Sequence, residues 1–313
     1  MIKLITKSFL LGKDNEPDGR QDALSVNDPS AIYAVADGVS NSFHPEMVAR
    51  DLCQTFTSLS KEGEEFKDWN SFSRDYLLPS VAQNWNIGVH NYMTSLQGRL
   101  LRHEKFNYER WKFGASTFCG VTIDLGKGIL RYYIIGDSTL FVMEKSGELK
   151  EYNTSPKMES SDSDLVTVYS NSTCAITSQN HIVGEWLIGE ILLAGVKSIA
   201  LMTDGMAMWY QKLSLSGEDP FAILWNIQGN EAFRDLAMIE RTRNNEMDDD
   251  LAVILIKLEE SSTETRTLDA KIIRKSFIYP YTKRFVKPWK IKRKALHRKR
   301  IRLKHRSYKT WLN

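Results

Sequence analysis

Four aspartates stand where short apolar runs of this 313-residue chain end or meet. Asp37-Gly38 follows "AIYAVA", Asp204-Gly205 follows "SIALMT", Asp249-Asp250 precedes "LAVILI", and Gly136-Asp137-Ser138 joins "LRYYII" to "TLFVME". A carboxylate beside a buried strand is costly unless it is paired or bound to a cation, so convergence of the four would favour a metal site. Oxygen ligands select hard ions such as Mg²⁺ or Mn²⁺, and no His-Cys cluster suggests zinc. Gly38 adds a backbone that can approach a cation and offer its carbonyl. Taken singly, each Asp-Gly is more simply a turn, because both residues are turn formers. Only the ordered set points to chemistry.

The elements that must position these residues alternate in type. "DALSV" and "AIYAVAD", separated by "NDPS", read as a hairpin that leaves Asp37 at the end of its second strand. From Pro45 to about Ser60, Met47, Val48, Leu52, Phe56 and Leu59 form one helical stripe behind a proline suited to a first turn. A second helical region runs from about Asn70 to Glu104, with an interruption expected near Pro79. "ASTFCGVTID", "GILRYYIIGD" and "STLFVMEKSG" are strand-length, and the Ser/Thr/Asn-rich stretch 153–180 reads as a long surface excursion or flap. A strand in "KSIALMTDG", helices near 206–213 and 231–243, and a last strand in "DDDLAVILIKL" complete the series. There is no internal repeat. Strands interleaved with helical insertions predict an α+β layered architecture, a β core flanked by helices in one main domain.

Composition excludes several classes. With 42% hydrophobic and 26% charged residues the chain is of ordinary globular type. Its most apolar stretch, "WLIGEILLAGV", is broken by Glu190 and is too short to span a bilayer. The N-terminus lacks the apolar core and cleavage site of a signal peptide. Cys53, Cys119 and Cys174 are far apart and odd in number, which fits reduced thiols and a cytoplasmic location. Charge is divided: 18 of the 42 Lys and Arg but only one of the 39 Asp and Glu lie in 266–313, leaving 24 basic and 38 acidic residues before it. The expected organisation is an acidic domain over 1–265 and a basic C-terminal tail over 266–313.

The segments "GRQDALSV", "YAVADGVSNS", "FGASTFCGVTID", "LRYYIIGDSTLFVME", "IALMTDGM" and "DDDLAVILI" occur in the order and spacing of the metal-dependent serine/threonine protein phosphatases, the type 2C or PPM family, which the chain resembles over about residues 12–260. The resemblance implies a sandwich of two antiparallel sheets flanked by helices, with metals in a cleft at one end. It implies hydrolysis of phosphoserine and phosphothreonine in phosphoprotein substrates by a hydroxide bridging two Mg²⁺ or Mn²⁺ ions, in a monomer. Asp37 matches the bridging carboxylate, with Gly38 offering its carbonyl, and Asp204 and Asp249 match the other ligands of the first ion. Asp22 falls in the first motif as a further ligand, and Asp137 matches the position of a third, weaker ion or of a group holding metal-bound waters.

The chain departs from that pattern at three places. Gln21 stands where an acid often precedes the aspartate that Asp22 matches, which weakens the second ion's set unless Asp22 compensates. The phosphate-gripping arginine would fall near Pro17, so Arg20, or Lys13, becomes the candidate. Val39 occupies a position where some relatives have a histidine, and His44 lies five residues later. "GAST" contains Ser116 without a nucleophile elbow, which makes it a strand residue and not a nucleophile.

The rival reading is a pseudophosphatase, a binding or scaffold module that keeps the fold while catalysis fades. In the tail, Lys292, Arg293, Lys294, Arg298, Lys299 and Arg300 suit nucleic acid. Trp289, Leu296 and Leu303 repeat every seven residues, as would suit an anionic membrane surface or an acidic protein partner. A third option is a tail that folds back on the acidic body.

Overall fold

The structure, a computed structural model, describes residues 2–13, 20–59, 68–159, 165–167, 173–243 and 246–260. Two five-stranded antiparallel sheets dominate. The first runs in the order β1 (Ile2–Leu11), β15 (Leu251–Glu260), β14 (Val196–Met202), β7 (Thr139–Glu144) and β8 (Leu149–Tyr152). The second runs β13 (Leu187–Leu192), β6 (Ile129–Ile135), β5 (Phe118–Asp124), β3 (Ile32–Ala36) and β2 (Ala23–Asn27). A three-stranded patch joins β4 (Ala115–Ser116), β11 (Ala175–Thr177) and β12 (His181–Val183), and β9 (Lys157–Glu159) pairs with β10 (Leu165–Thr167).

Why the sheets stack follows from which side chains each strand offers to either face. Tyr33, Val35, Cys119, Val121 and Ile134 of the second sheet meet Val142, Ile199, Leu201, Ile254 and Ile256 of the first, all buried. The alternate residues Ile32, Ala34, Phe118, Tyr133 and Ile135 turn outward and are covered by α1 (Pro45–Thr57) and α3 (Leu78–Ser95) through Val48, Leu52, Phe56, Val81 and Trp85. On the far side Phe9, Phe141, Val253 and Leu255 are covered by α5 (Asp204–Leu215), α6 (Pro220–Trp225) and α7 (Gly229–Arg243). Strands apolar on both faces are therefore the middle ones. The result is the predicted layering: helices, sheet, sheet, helices.

Several local readings are corrected. Pro79 does not break the second helical region. α2 (Trp69–Phe72) passes through a wider π turn, Ser73–Leu77, into α3, whose first turn holds Pro79 where its missing N–H is harmless. The break comes instead at Leu96–Gln97, before α4 (Gly98–Trp111). The stretch 153–180 is not wholly a surface excursion, because Ala175 and Ile176 of β11 are buried, Ile176 in the cluster beneath the second sheet's helices. β1 is an edge strand with only partial burial and lies outside the predicted strands; β13, also an edge strand, lies within the apolar stretch "WLIGEILLAGV", weighed above only as a membrane span.

Cys53 and Cys119 are buried free thiols and Cys174 is a half-buried one. No helix among the described residues is long and apolar enough to cross a membrane. The basic tail, including Trp289, Lys292, Arg293, Lys294, Leu296, Arg298, Lys299, Arg300 and Leu303, lies outside the described residues.

Candidate metal centre

Register puts the first two carboxylates together. β2 pairs with β3 from Asn27↔Ile32 to Ala23↔Ala36, so one further step brings Asp22 opposite Asp37. Their carboxyl groups are hydrogen-bonded to each other, and Asp22 also bonds the Thr203 side chain. Burial is the main force holding both well above the usual carboxylate range, with Asp22 and Asp204 adding repulsion at Asp37.

The backbone of Asp37 is fixed from β4 and β5. Its N–H donates to Thr117 Oγ1 at 3.3 Å, and its carbonyl accepts from Thr117 N at 2.8 Å and from Ser116 Oγ at 2.7 Å. Ser116 is fully buried and spends its hydroxyl on this support, which excludes it as a nucleophile. Gly38 is needed for close approach, because a Cβ there would lie 2.8 Å from the Gln21 carbonyl oxygen and 2.9 Å from Pro45 Cβ.

The first sheet delivers the remaining carboxylates at the same end of the sandwich. β14 and β15 pair up to Met202↔Val253, and Thr203 continues the ladder by donating to the Ala252 carbonyl at 3.1 Å. Asp204 then opens α5 beside the turn carrying Asp249 and Asp250, where a Cβ on Gly205 would lie 3.0 Å from the Asp250 carbonyl oxygen. Burial raises Asp204 to about 7, aided by repulsion from Asp137 and Asp249. Asp137 sits between β6 and β7 and is 3% exposed, and burial lifts it to about 6. The glycine before it is dictated by contact: Gly136 has φ +90°, and a Cβ would lie 2.6 Å from both the Cys174 carbonyl oxygen and Thr117 Cβ.

Of the predicted site residues, Asp22, Asp37, Gly38, Asp137, Asp204 and Asp249 thus come to one end of the sandwich, where five carboxylates act on one another. The side chain of Asp249 is exposed and accepts from the N–H of Asp250 at 2.9 Å. Among the described residues no three carboxylates are already gathered around one point at metal-binding distance.

The donor set nevertheless fits a hard cation. Asp22 Oδ2 and Asp137 Oδ1 are buried with no hydrogen-bond partner; burial raises Asp22, Asp37, Asp137 and Asp204, and like charge adds to it at Asp22, Asp37 and Asp204, two effects a dication would offset.

Arg20 is half-buried at the exit of segment 14–19. Gln21 turns its side-chain oxygen to Ser40 Oγ at 2.8 Å, away from a ligand role. His44 is held by Glu46 through Nδ1 at 2.6 Å and packs edge-on to Phe43 and Tyr92, a structural arrangement.

Four contributors escaped the sequence reading. Thr117 and Thr203 support the two hairpin carboxylates. Asp250, 8% exposed, accepts the N–H groups of Lys13 at 2.6 Å and Gln21 at 2.5 Å. Arg241 of α7 donates to the carbonyls of Met247 (2.6 Å), Asp249 (2.5 Å) and Lys13 (2.9 Å). The "DDD" triplet was the available signal for Asp250. Nothing in the spacing flagged Arg241.

The site described so far is a cluster of carboxylates at one end of two stacked sheets. A sequence model of the protein phosphatase 2C family matches residues 13–255, and the chain belongs to that family of serine/threonine protein phosphatases. Solved structures that it resembles include the catalytic domain of the serine/threonine protein phosphatase PstP in complex with two manganese ions, at 13% identity, covering 83% of this chain and 100% of that one, with a TM-score of 0.49. PppA of Pseudomonas aeruginosa, described as a regulatory component of its T6SS, aligns at 14% identity over 82% of this chain and 98% of its own, with a TM-score of 0.48. The phosphatase Stp1 from Staphylococcus aureus aligns at 13% over 83% and 95%, with a TM-score of 0.47. No curated protein sequence matches the chain significantly.

Proposed function

We propose that this chain hydrolyses phosphoserine and phosphothreonine in proteins with two Mg²⁺ or Mn²⁺ ions held by Asp22, Asp37, Asp204, Asp249 and the Gly38 carbonyl, and that Asp137 serves a third, weaker one. The observation that carries the reading is the convergence of buried, mutually repelling carboxylates, two of them with orphaned oxygens, at one end of the sandwich. A scaffold that had given up catalysis would have no use for that charge, so the enzyme is favoured over a pseudophosphatase. Bound there, divalent cations would supply Lewis acidity, making water nucleophilic near neutral pH and offsetting charge on the phosphoryl oxygens.

The chain's own residues do the rest. Thr117 and Ser116 hold the Asp37 backbone, and Thr203 orients Asp22. Gly38 keeps the floor of the site free of a side chain. A base from the segment ends at Lys13 or Arg20 faces the substrate phosphate, whose dianion the carboxylates would otherwise repel. The division into a catalytic domain over 1–265 and a basic tail over 266–313, a monomeric state and a cytoplasmic location belong to the same proposal. So does the tail's affinity for nucleic acid, anionic membrane or an acidic partner.

The test is hydrolysis of a phosphopeptide and of p-nitrophenyl phosphate with Mn²⁺, with and without chelator, by wild type, Asp37→Asn and Asp204→Asn. Metal-dependent turnover in wild type, lowered at least about a hundredfold in both variants, is expected. Pure wild type that turns over neither substrate at any Mn²⁺ concentration would sink the assignment.

A further inference from the structure

We infer that Met208 sets substrate preference at this site, by receiving an apolar side chain that stands two positions from the phosphorylated residue of the substrate segment. The inference rests on the metal-dependent phosphatase reading above and adds to it a class of substrate sequence, which the carboxylates by themselves do not select.

Helical spacing fixes where Met208 looks. Asp204, Met208, Gln211 and Leu215 follow one another at i, i+4, i+7 and i+11 in α5, so they lie on a single stripe. Met208 is 46% exposed on that stripe, whereas Met206, Ala207, Trp209 and Tyr210 are buried beneath it. The residues on either side of Met208 along the stripe both have a fixed direction. The β7–β14 ladder ends at Thr139↔Met202, two residues short of Asp137 on one strand and of Asp204 on the other, which sets Asp204 toward Asp137. Gln211 Nε2 donates to Glu151 Oε2 at 3.0 Å, which sets the next turn of the stripe toward β8. Met208, between them, faces the space from Asp137 to Glu151.

The chain after β8 closes the far side of that space. Asn153 Nδ2 donates to Glu151 Oε1 at 2.8 Å. Thr154 N donates to the Gly136 carbonyl at 2.9 Å, and Gly136 N donates to Thr154 Oγ1 at 2.8 Å. The frame therefore starts at Asp204, follows α5 to Gln211, crosses to Glu151 and returns through Asn153 and Thr154 to Asp137. Tyr152, which the frame passes, turns its ring the other way, against Tyr132. Among the described residues of this frame, Met208 is the one large apolar side chain that faces inward, and an exposed thioether is a soft, adaptable contact for an aliphatic or aromatic partner. Four helical residues span about 6 Å. Two residues of an extended chain span about 6.6 Å and point to the same side. A phosphoserine engaged at the carboxylate end thus brings the side chain two positions away to Met208.

Two readouts on the Mn²⁺-loaded full-length protein form one experiment. The first is steady-state kinetics on phosphopeptides that carry Leu, Ser or Glu two positions before or after the phosphoserine. The second is fluorescence anisotropy with the same peptides built on a non-hydrolysable phosphonate analogue of phosphoserine. Wild type is expected to favour Leu over Ser about tenfold at one of the two positions, in KM and in anisotropy affinity. Met208→Ala is expected to bring that ratio near one, and Met208→Lys to turn the preference to Glu. Leu215→Ala, on the same stripe but beyond the Gln211–Glu151 contact, is expected to keep the wild-type ratio. Each ratio compares peptides on one protein, so a loss of folded protein, metal or turnover cancels from it. No preference for Leu at either position in wild type, including no binding at all, overturns the assignment, as does a preference that Met208→Ala retains. If wild type binds the peptides but hydrolyses none, the phosphatase reading fails, and the anisotropy ratios still decide whether Met208 selects the bound segment.

Discussion

Neutralising one carboxylate should stabilise the metal-free protein and cripple its response to metal, and Asp204→Asn shows how much. In the folded chain Asp204 titrates at about 7 against an ordinary 3.8. Above pH 7 that gap is equivalent to about 4 kcal/mol of destabilisation. Partial solvent access to Asp204 screens the burial and repulsion behind it, so about 2 kcal/mol is the working figure. The sign follows from proton binding: the folded state holds the proton more tightly, so chelated wild type loses stability as pH rises through about 7 and regains it as pH falls. In chelator at pH 8, Asp204→Asn should therefore melt roughly 4 to 8 °C higher than wild type, taking about 2 to 4 °C per kcal/mol for a domain of this size. The difference should narrow toward pH 5. Saturating Mn²⁺ should reverse the order, because wild type gains RT ln(1 + [L]/Kd) and the variant gains much less. Scanning calorimetry or fluorimetry at pH 5 and 8, with chelator and with Mn²⁺, reads all four conditions. If Asp204→Asn is less stable than wild type in chelator at pH 8 and Mn²⁺ raises both equally, the carboxylates do not form one electrostatic unit and the argument fails.

Three smaller perturbations probe the supports. Thr117→Val removes the hydroxyl that accepts from Asp37 N and bonds Ser138 Oγ at 2.7 Å, and should weaken Mn²⁺ binding about tenfold by titration calorimetry with the fold retained. Gly38→Ala would push a methyl to 2.8 Å from the Gln21 carbonyl oxygen, and should cost about 1 to 3 kcal/mol by urea unfolding together with a loss of Mn²⁺ affinity. Phe56→Ala, fully buried against Phe118 and Tyr133, should cost about 3 to 5 kcal/mol by urea unfolding.

Much of the fold could be read from the chain because the middle strands and α1 carry their burial in their periodicity. Ile32–Ala36, Phe118–Asp124 and Leu251–Glu260 are apolar runs bounded by turn residues, and Val48, Leu52 and Phe56 fall on one helical face. β1 escaped because an edge strand buries only part of its residues and so shows a weak pattern, and β13 because its apolar stretch is weighed above as a membrane span although its burial alternates as an edge strand's does. Pro79 misled because a proline's effect depends on whether it falls in a first turn, which depends on where the preceding π turn ends. For the site, strand-end aspartates marked most of the carboxylates, but their supports are long-range partners. Asp250 reaches back 237 residues to Lys13, and Arg241 reaches back 228 to the same residue, distances over which local spacing says nothing. Asp250 was also hidden by its neighbour, since of two adjacent aspartates one faces the site and the other is turned inward to hold the chain.

The ladder between β1 and β15 runs from Ile2↔Glu260 to Leu11↔Leu251. During synthesis, then, the first strand of the domain stands without its partner until the last has left the ribosome, and the partner must insert between β1 and β14. Pairing over such a separation closes a very long loop, which makes it slow, and until it closes the first sheet keeps a gap between β1 and β14 where β15 belongs. The same strand brings Asp249 and Asp250 into place at its start. On the ligand set proposed above, affinity for divalent cations would be acquired in the step that seals the sheet, and an unfinished or truncated chain lacking this strand would have neither.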